Sequence, residues 1–316
     1  MINLLLRRVL QMILIMLTAS LILFVIFDTP EFKKRLAVQE LGGFAVSALT
    51  EASYQDWLEN KGLNVPFYER YGNWIGSVVQ GDLGFSYEKN RPVGPLLLEK
   101  LKNTGILAFW VFALMVPLSL VLGVLAGMKE GSVQDRTVSF ISVFFTSIPE
   151  IATAIFLTVF LALGLGLVPA KSSMISGFDW RALVLPVLTL VIYDFGYVAR
   201  MTRASMAEVM TSQYIRTAVL KGLPYRRVIM KHALRNALIA PFTIIVLQLN
   251  WLLSGVVVVE VFFEYDGFGK LLLEAALFPD VEVVQACTLV AVLVAVLSQI
   301  ISDVGYTFLN PRIRFS

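Results

Sequence analysis

One cysteine and one histidine occur in 316 residues. A disulfide framework needs two cysteines, so Cys287 excludes one. A zinc centre of the common His/Cys kind cannot be assembled around His232 alone. Charge is scarce as well: Asp, Glu, Lys and Arg make up 16% of the chain, whereas 57% of it is hydrophobic, above the ordinary share of about 45–50%. A mean hydropathy of +0.76 is too apolar for a soluble domain of this length. The phosphate-binding string G-x-x-x-x-G-K-[ST] is missing, and Gly267-Phe268-Gly269-Lys270 has the wrong spacing for it, so ATP is not bound in that way. There is no internal repeat and no low-complexity tract. The lack of an inverted repeat counts against an ion-coupled secondary transporter with Glu150 and Asp194 as proton carriers. An intramembrane enzyme would need a Ser/His or paired-Asp constellation at usable depth, which is lacking too.

What the chain has is long apolar runs. Six reach about the 18 residues that a bilayer-spanning helix requires: residues 9–27, 105–128, 137–168, 182–199, 237–259 and 283–302. The first is longer than a signal-peptide core and has no small-residue cleavage site, so it reads as a retained helix. The third is interrupted at Pro149-Glu150 and is expected to tilt or break there. Six spans put both termini on one side. Arg7 and Arg8, Lys129 and Arg136, eight bases in 200–236, and Arg312 and Arg314 all fall on that side, which makes it cytoplasmic. The division expected is a tip and first span at 1–28, an outer insertion at 29–104, a membrane core at 105–306 and a tail at 307–316. In the insertion Tyr54, Trp57, Tyr68, Tyr71, Trp74 and Phe85 are spread among mixed charges. Turn signals there are Gly42-Gly43, Gly62, Gly72, Gly81, Gly84, Pro66 and Pro92, which reads as a small folded cap.

The loop at 200–236 holds eight bases and one acid, Glu208. Residues 206–220 contain no Gly or Pro and read as a helix. Gly222 then suits a left-handed cap, and Pro224 the first turn of a second helix. There Arg227, Lys231 and Arg235 share one face and Tyr225, Ile229 and Ala233 another. Two short helices meeting at a Gly-Leu-Pro corner suit docking on a protein partner. Charge alone favours a basic loop resting on anionic lipid; the loop's length, its two punctuated helices and its residue string favour docking. Nucleic acid is excluded, because the patch lies between spans and no binding motif accompanies it.

The strings Tyr214-Ile215-Arg216-Thr217-Ala218-Val219-Leu220-Lys221-Gly222-Leu223 and Lys231-His232-Ala233-Leu234-Arg235-Asn236-Ala237-Leu238 resemble the coupling loop of ABC-importer permeases, in the dipeptide/oligopeptide/nickel branch. Gly81-Asp82-Leu83-Gly84-Phe85-Ser86, Ser147-Ile148-Pro149, Leu167-Val168-Pro169-Ala170 and Ala199-Arg200-Met201-Thr202-Arg203 match that branch in the same order. So do Gly267-Phe268-Gly269-Lys270 and Asn310-Pro311-Arg312-Ile313-Arg314. Val219-Leu220 stand where the family usually has Arg-Ala, Asp266 where it often has Pro, and Asn310 where it often has Asp.

The resemblance implies an all-α integral membrane protein of six transmembrane helices, with the type I ABC-importer permease fold. It implies a bacterial inner-membrane location and a second homologous permease, expected as a heterodimer. Two cytoplasmic ATPases and an extracytoplasmic substrate-binding protein complete the assembly. No cofactor belongs to this chain; ATP and magnesium sit on the ATPases. The implied substrates are short peptides or peptide-like solutes, with nickel chelates, opines or oligosaccharides as alternatives. The matched positions expected to couple to the ATPases are Tyr214, Thr217, Ala218, Lys221, Gly222, Leu223, Arg227, Lys231 and His232.

Ionisable groups inside a span are costly and so are functional candidates. Glu150 is expected on the substrate path, with burial between permeases as a near-equal reading. Gln248 and Asn250 are expected on the path or in helix–helix bonding. Asp194 is expected in a helix-end ion pair with Arg200. Glu260, Glu264 and Asp266 read as solvated or as contacting a binding protein, and Gly123 and Gly127 as a packing pair.

Overall fold

In the computed structural model residues 2–41, 50–86, 88–173, 178–278 and 280–309 are described. The expected turn at Gly42-Gly43 and the tail string from Asn310 through Arg312 to Arg314 lie outside them. The described residues form helices α1 (Ile2–Phe27), α2 (Pro30–Leu41), α3 (Glu51–Asn60) and α4 (Phe67–Val79), a two-stranded ribbon β1 (Phe85–Ser86) and β2 (Arg91–Pro92), then α5 (Val93–Gly127), α6 (Val133–Thr146), α7 (Glu150–Leu157), α8 (Trp180–Met210), α9 (Gln213–Leu220), α10 (Tyr225–Arg227), α11 (Leu234–Ala237), α12 (Ile239–Gly255), α13 (Val257–Phe262), α14 (Phe268–Leu277) and α15 (Val281–Leu309). Among these, four helices are long and apolar enough to cross a membrane, or up to six if each of two bent pairs is one span.

The first bent pair is the expected third span. Pro149 cannot donate to the preceding turn and disfavours a helical Ile148. The chain therefore leaves α6 at Ser147, and the segment Glu150–Gly164 departs at 95°. The second pair, Tyr225–Ala237 with Ile239–Leu252, is bent by 48°. Two expected boundaries move. The second span begins in a helix that starts at Val93, because Val93, Leu96, Leu97 and Lys100 recur at helical spacing and are all buried. The fifth span does not run unbroken to Val259: Val256 takes ψ 49° and separates α12 from α13.

The fold divides into two units. One comprises residues 1–5, 102–270 and 294–316. Its core gathers Leu107 and Met115 of α5, Leu190 and Val198 of α8, Leu252 of α12 and Phe263. Helices approach α8 at three positions that tolerate only hydrogen. A Cβ at Gly123 would stand 2.6 Å from the Ala199 carbonyl oxygen, and one at Gly127 would stand 2.5 Å from that of Arg203. At Gly196 of α8 it would collide with the Ser142 backbone of α6. The Gly123/Gly127 pair is thus a packing pair, as expected.

A second anchor corrects the sequence reading of Glu260. Far from solvated, it is fully buried. Its carboxylate accepts from the Thr104 hydroxyl at 2.6 Å and from the Lys270 amide at 2.8 Å. The Thr104 oxygen in turn accepts the Phe268 N–H at 2.8 Å, and the Tyr265 hydroxyl donates to the Asn103 carbonyl. Gly267 leaves room for that carboxylate. The Gly267-Phe268-Gly269-Lys270 string therefore wraps a buried acid. Glu264 is exposed, and its hydrogen bond from Lys171 at 2.6 Å holds its carboxyl below the ordinary range.

The other unit comprises residues 6–101 and 271–293. Phe24 of α1 packs on Tyr71 and Trp74 of α4, with ring centroids 5.2 and 5.4 Å apart. The Gly81-to-Ser86 string forms a turn in which the Asp82 carboxylate accepts the Gly84 N–H at 2.9 Å. Gly84 takes φ +85° beside Glu282, which leaves no room for a side chain. Ser86 then donates to Asp280 at 2.5 Å.

Removing the buried acid tests the anchor. Glu260→Ala leaves the Thr104 hydroxyl and the Lys270 amide without their acceptor and is expected to cost about 2–4 kcal/mol. Glu260→Gln keeps an acceptor and costs less. Thermal unfolding of the purified protein in detergent reads both, and equal melting temperatures for Glu260→Ala and the parent would contradict the assignment.

Candidate functional site

The basic loop folds as an elbow on its own small core. Helix α8 ends at Met210, a turn at Thr211-Ser212 follows, and α9 starts at Gln213. Sequence reading expected one helix over 206–220. The break arises because Ser212 takes an extended conformation, φ −69° and ψ 149°, which begins a new helix. Ile215 and Ala218 point inward onto Met206 of α8 and onto Val228, Ile229, Ala233 and Ala237.

The corner itself is as expected. Gly222 takes φ +73° and donates its N–H to the Val219 carbonyl at 2.9 Å. Leu223 turns back onto the same small core. Pro224 begins the next segment, and its carbonyl accepts the Arg227 and Val228 amides at 2.8 and 3.1 Å. That segment is not a regular helix: one turn of α10 gives way to a wide π turn at Val228–Ala233. The i, i+4 faces consequently shift. Ile229 and Ala233 are buried, but so is Val228, while Tyr225 is half exposed.

Of the expected coupling residues, Tyr214, Thr217, Lys221, Gly222, Arg227 and Lys231 are exposed, Leu223 and His232 are half-buried, and Ala218 is buried. Ala218 therefore supports the surface from beneath. Tyr214 accepts a hydrogen bond from Asn236 at 2.9 Å, tying the two arms together. Sequence reading missed the apolar tip: Leu220 is 80% exposed and Met230 63%. The signal available was the Val219-Leu220 pair standing where the resembling family has Arg-Ala.

It also missed the brace under the elbow. Arg203 makes a fork onto the buried Asp135 through Nε and Nη2, both at 2.7 Å. Asp135 further accepts the Gly131 amide at 2.8 Å. All its lone pairs face donors, so this buried charge is stabilised rather than merely tolerated.

A second cluster lies further along α8. Asp194 is buried and accepts from the Gln248 amide at 2.5 Å through Oδ1, while Oδ2 is buried without a partner among the described residues. The expected pair with Arg200 is not what forms; the Arg200 Nε donates to the Gly196 carbonyl at 3.3 Å instead. Asp194 and Arg200 are six residues apart, which places them about 120° apart round the helix. Glu150 sits near enough to act electrostatically on Asp194, and its Oε1 is likewise buried and unpartnered. Asp194, Gln248, Arg200, Tyr193 and Trp251 line a cavity of about 370 Å³. Asn250 is two residues from Gln248, so it faces roughly 200° round the helix. Gln248 thus bonds Asp194 directly, Glu150 lies within electrostatic range of it, and Asn250 is not among the residues that line this cavity.

Comparison with known proteins matches this architecture. Residues 119–315 match the family described as binding-protein-dependent transport system inner membrane component. The chain is 33% identical over 274 residues to the oligopeptide transport system permease protein AppB of Bacillus subtilis strain 168, covering 84% of this chain and 87% of that one. It is 34% identical over 254 residues to the glutathione transport system permease protein GsiC of Shigella flexneri serotype 5b, with 80% and 82% covered. Among solved structures, an inward-facing MetNI methionine ABC transporter aligns with a TM-score of 0.51 at 20% identity, covering 69% of this chain and 94% of that chain. That likeness supports the fold.

The brace under the elbow is open to a double-mutant test. Arg203→Met strands the Asp135 charge and is expected to lower stability by about 3–5 kcal/mol. Adding Asp135→Leu to it should recover a large part of that loss in a detergent melting curve. A double variant no more stable than Arg203→Met alone would mean the ion pair is not the source of the effect.

Proposed function

Because the chain belongs to the family of binding-protein-dependent transport system inner membrane components, we propose that its elbow at 200–236 receives the movement of a cytoplasmic ATPase and passes it to the membrane helices. The chain is a multi-pass inner membrane protein and a permease subunit, not itself an ATPase. In the proposed assembly it pairs with a second, homologous permease. Two ATPases carrying ATP and magnesium lie beneath, and a substrate-binding protein lies outside. The termini then face the cytoplasm and residues 29–104 face outward, in accord with the distribution of Lys and Arg.

The observation that carries this reading is the shape of the elbow. A positive-φ glycine fixes the corner, an inner core holds it rigid, and its outer surface combines an apolar tip with Tyr214, Lys221, Arg227 and Lys231. A loop that merely rested on lipid would need no such core. The shared scaffold of α8 links it to Asp194, Glu150 and Gln248, which we assign to the substrate path; Asn250 is placed at its margin. Relatives named for oligopeptides and glutathione favour short peptides as the cargo.

Gly222→Val forces a β-branched residue into the left-handed region, a strain of about 1–3 kcal/mol. In proteoliposomes of the whole transporter, uptake is expected to fall about tenfold while ATP hydrolysis continues and membrane insertion is normal. Unchanged uptake would remove the docking role. A separate expectation concerns Glu150→Gln, which should alter the transport rate or the preference among substrates of different charge. Identical rate and selectivity would take Glu150 off the path.

A further inference from the structure

The unit formed by residues 6–101 and 271–293 holds a partly open cavity of about 560 Å³. That is within the size range of small-molecule sites, roughly 300–1,000 Å³, and far above the ~30 Å³ that one water occupies. Phe24, Phe27 and Trp74 give it aromatic walls. Its polar groups divide into those already satisfied and those that are not. Asp28 accepts from Lys33 at 2.7 Å and from Arg70. Asp280, by contrast, uses Oδ2 for the Ser86 hydroxyl and has Oδ1 buried without a partner among the described residues. Among those residues the Gln285 Nε2 and the Arg70 Nε are likewise buried without a partner. Asp280 and Gln285 are only 7% and 2% exposed, so neither is rescued by bulk solvent.

Buried polar atoms are almost always hydrogen-bonded, and these three border the same cavity. Together they specify a complement. A carboxylate oxygen asks for a donor, best a cationic one; an amide nitrogen and a guanidinium nitrogen ask for acceptors, best an anionic one. A ligand that answers both carries an ammonium and carbonyl or carboxylate oxygens a few atoms apart, with an apolar part for the aromatic wall. We propose that this cavity is a binding site for a short zwitterionic peptide, of two or three residues. Its α-ammonium meets Asp280, and its amide or carboxylate oxygens meet Gln285 and Arg70. The choice of a peptide rests on the importer reading above; the demand for a zwitterion comes from the cavity alone. In the proposed orientation the site is on the outer side, where it would hold cargo before the path opens.

The test uses the complete transporter in nanodiscs of phosphatidylcholine without ATP, with the fluorescence of Trp74 as a local signal. Alanyl-alanine is expected to produce a saturable change that disappears in Trp74→Phe. Its affinity should drop roughly tenfold or more on N-acetylation of the dipeptide and in Asp280→Asn, and severalfold in Gln285→Leu. Should Asp280→Asn fail to give monodisperse protein, Gln285→Leu decides. Equal affinity for the N-acetylated dipeptide, or unaltered binding in the variants, overturns the proposal. So does a signal given by phosphatidylethanolamine but not by the dipeptide, which would make this a lipid site, and so does no signal at all, which would leave a water-filled space. Gly222→Val should bind the dipeptide normally. Loss of coupling there with intact binding here, or the reverse, separates failure of this proposal from failure of the elbow reading.

Discussion

Helix α8 can serve as a common rod only because nothing larger than hydrogen stands at positions 123, 127 and 196. Two of those glycines bring α5 against the carbonyls of Ala199 and Arg203, and the third lets α6 close on α8 at Ser142. Between helices in lipid the hydrophobic effect supplies no driving force, so close van der Waals approach takes its place. The rod is 31 residues long, about 46 Å at 1.5 Å per residue. It carries Asp194 near its middle and Met206 in the core of the elbow, about 18 Å apart along the axis. A displacement at one point is therefore a displacement at the other, provided that the rod does not bend between them. Arg203 and Asp135, locked in a fork between those two points, oppose bending.

The two acids near the membrane core set a different constraint. A buried carboxylate generally pairs with a base or loses its charge. Asp194 has Gln248, which donates one neutral hydrogen bond, and no base paired with it among the described residues. Glu150 adds a second acid nearby. Such an arrangement is poor for stability, since two acids share one desolvated region in which ionising both is costly. Contrast Glu260 and Asp135, whose carboxylates are also shielded from solvent but each accept several hydrogen bonds. The same residue type thus stands in two settings, and the donors around each separate Glu260 and Asp135 from Asp194 and Glu150, the acids proposed for the substrate path.

How far the sequence foretold this depends on the range of the interaction involved. Local events were legible. The break at Pro149, the left-handed corner at Gly222 and the Gly123/Gly127 packing pair each follow from one or two residues and their backbone rules. The apolar runs were legible because a bilayer imposes length. What was hidden depends on partners far along the chain. Glu260 looks like a surface acid until Thr104, 156 positions earlier, is placed against it. Asp194 looked paired with Arg200 because the two are close in sequence, yet the bond that forms reaches Gln248 on another helix. The π turn at Val228–Ala233 escaped because its residues read equally well as α-helix. Cavity walls such as Asp280 and Gln285 escaped for the same reason as Glu260: what matters about them is a missing partner, and only coordinates show that.

The elbow's composition bears on what holds it to a neighbour. Exposed bases such as Arg216, Arg227 and Lys231 raise encounter rates, but charges that stay wet contribute little net affinity and are screened by salt. Apolar groups that become dry contribute more, roughly 25 cal/mol for each Å² removed from water. Leu220 and Met230 are exposed on an elbow that also exposes Arg216, Arg227 and Lys231, and an apolar centre with a polar rim is the usual layout of a protein–protein contact. A push is transmitted through such a contact only if the anchor stays seated while the partner moves. In the proposed docking the exposed Val219-Leu220 pair would add seating where an Arg-Ala pair would add charge. In the proposed assembly the inner core of Ile215, Ala218 and Val228 would turn movement of the partner into movement of α8 instead of a local deformation of the loop.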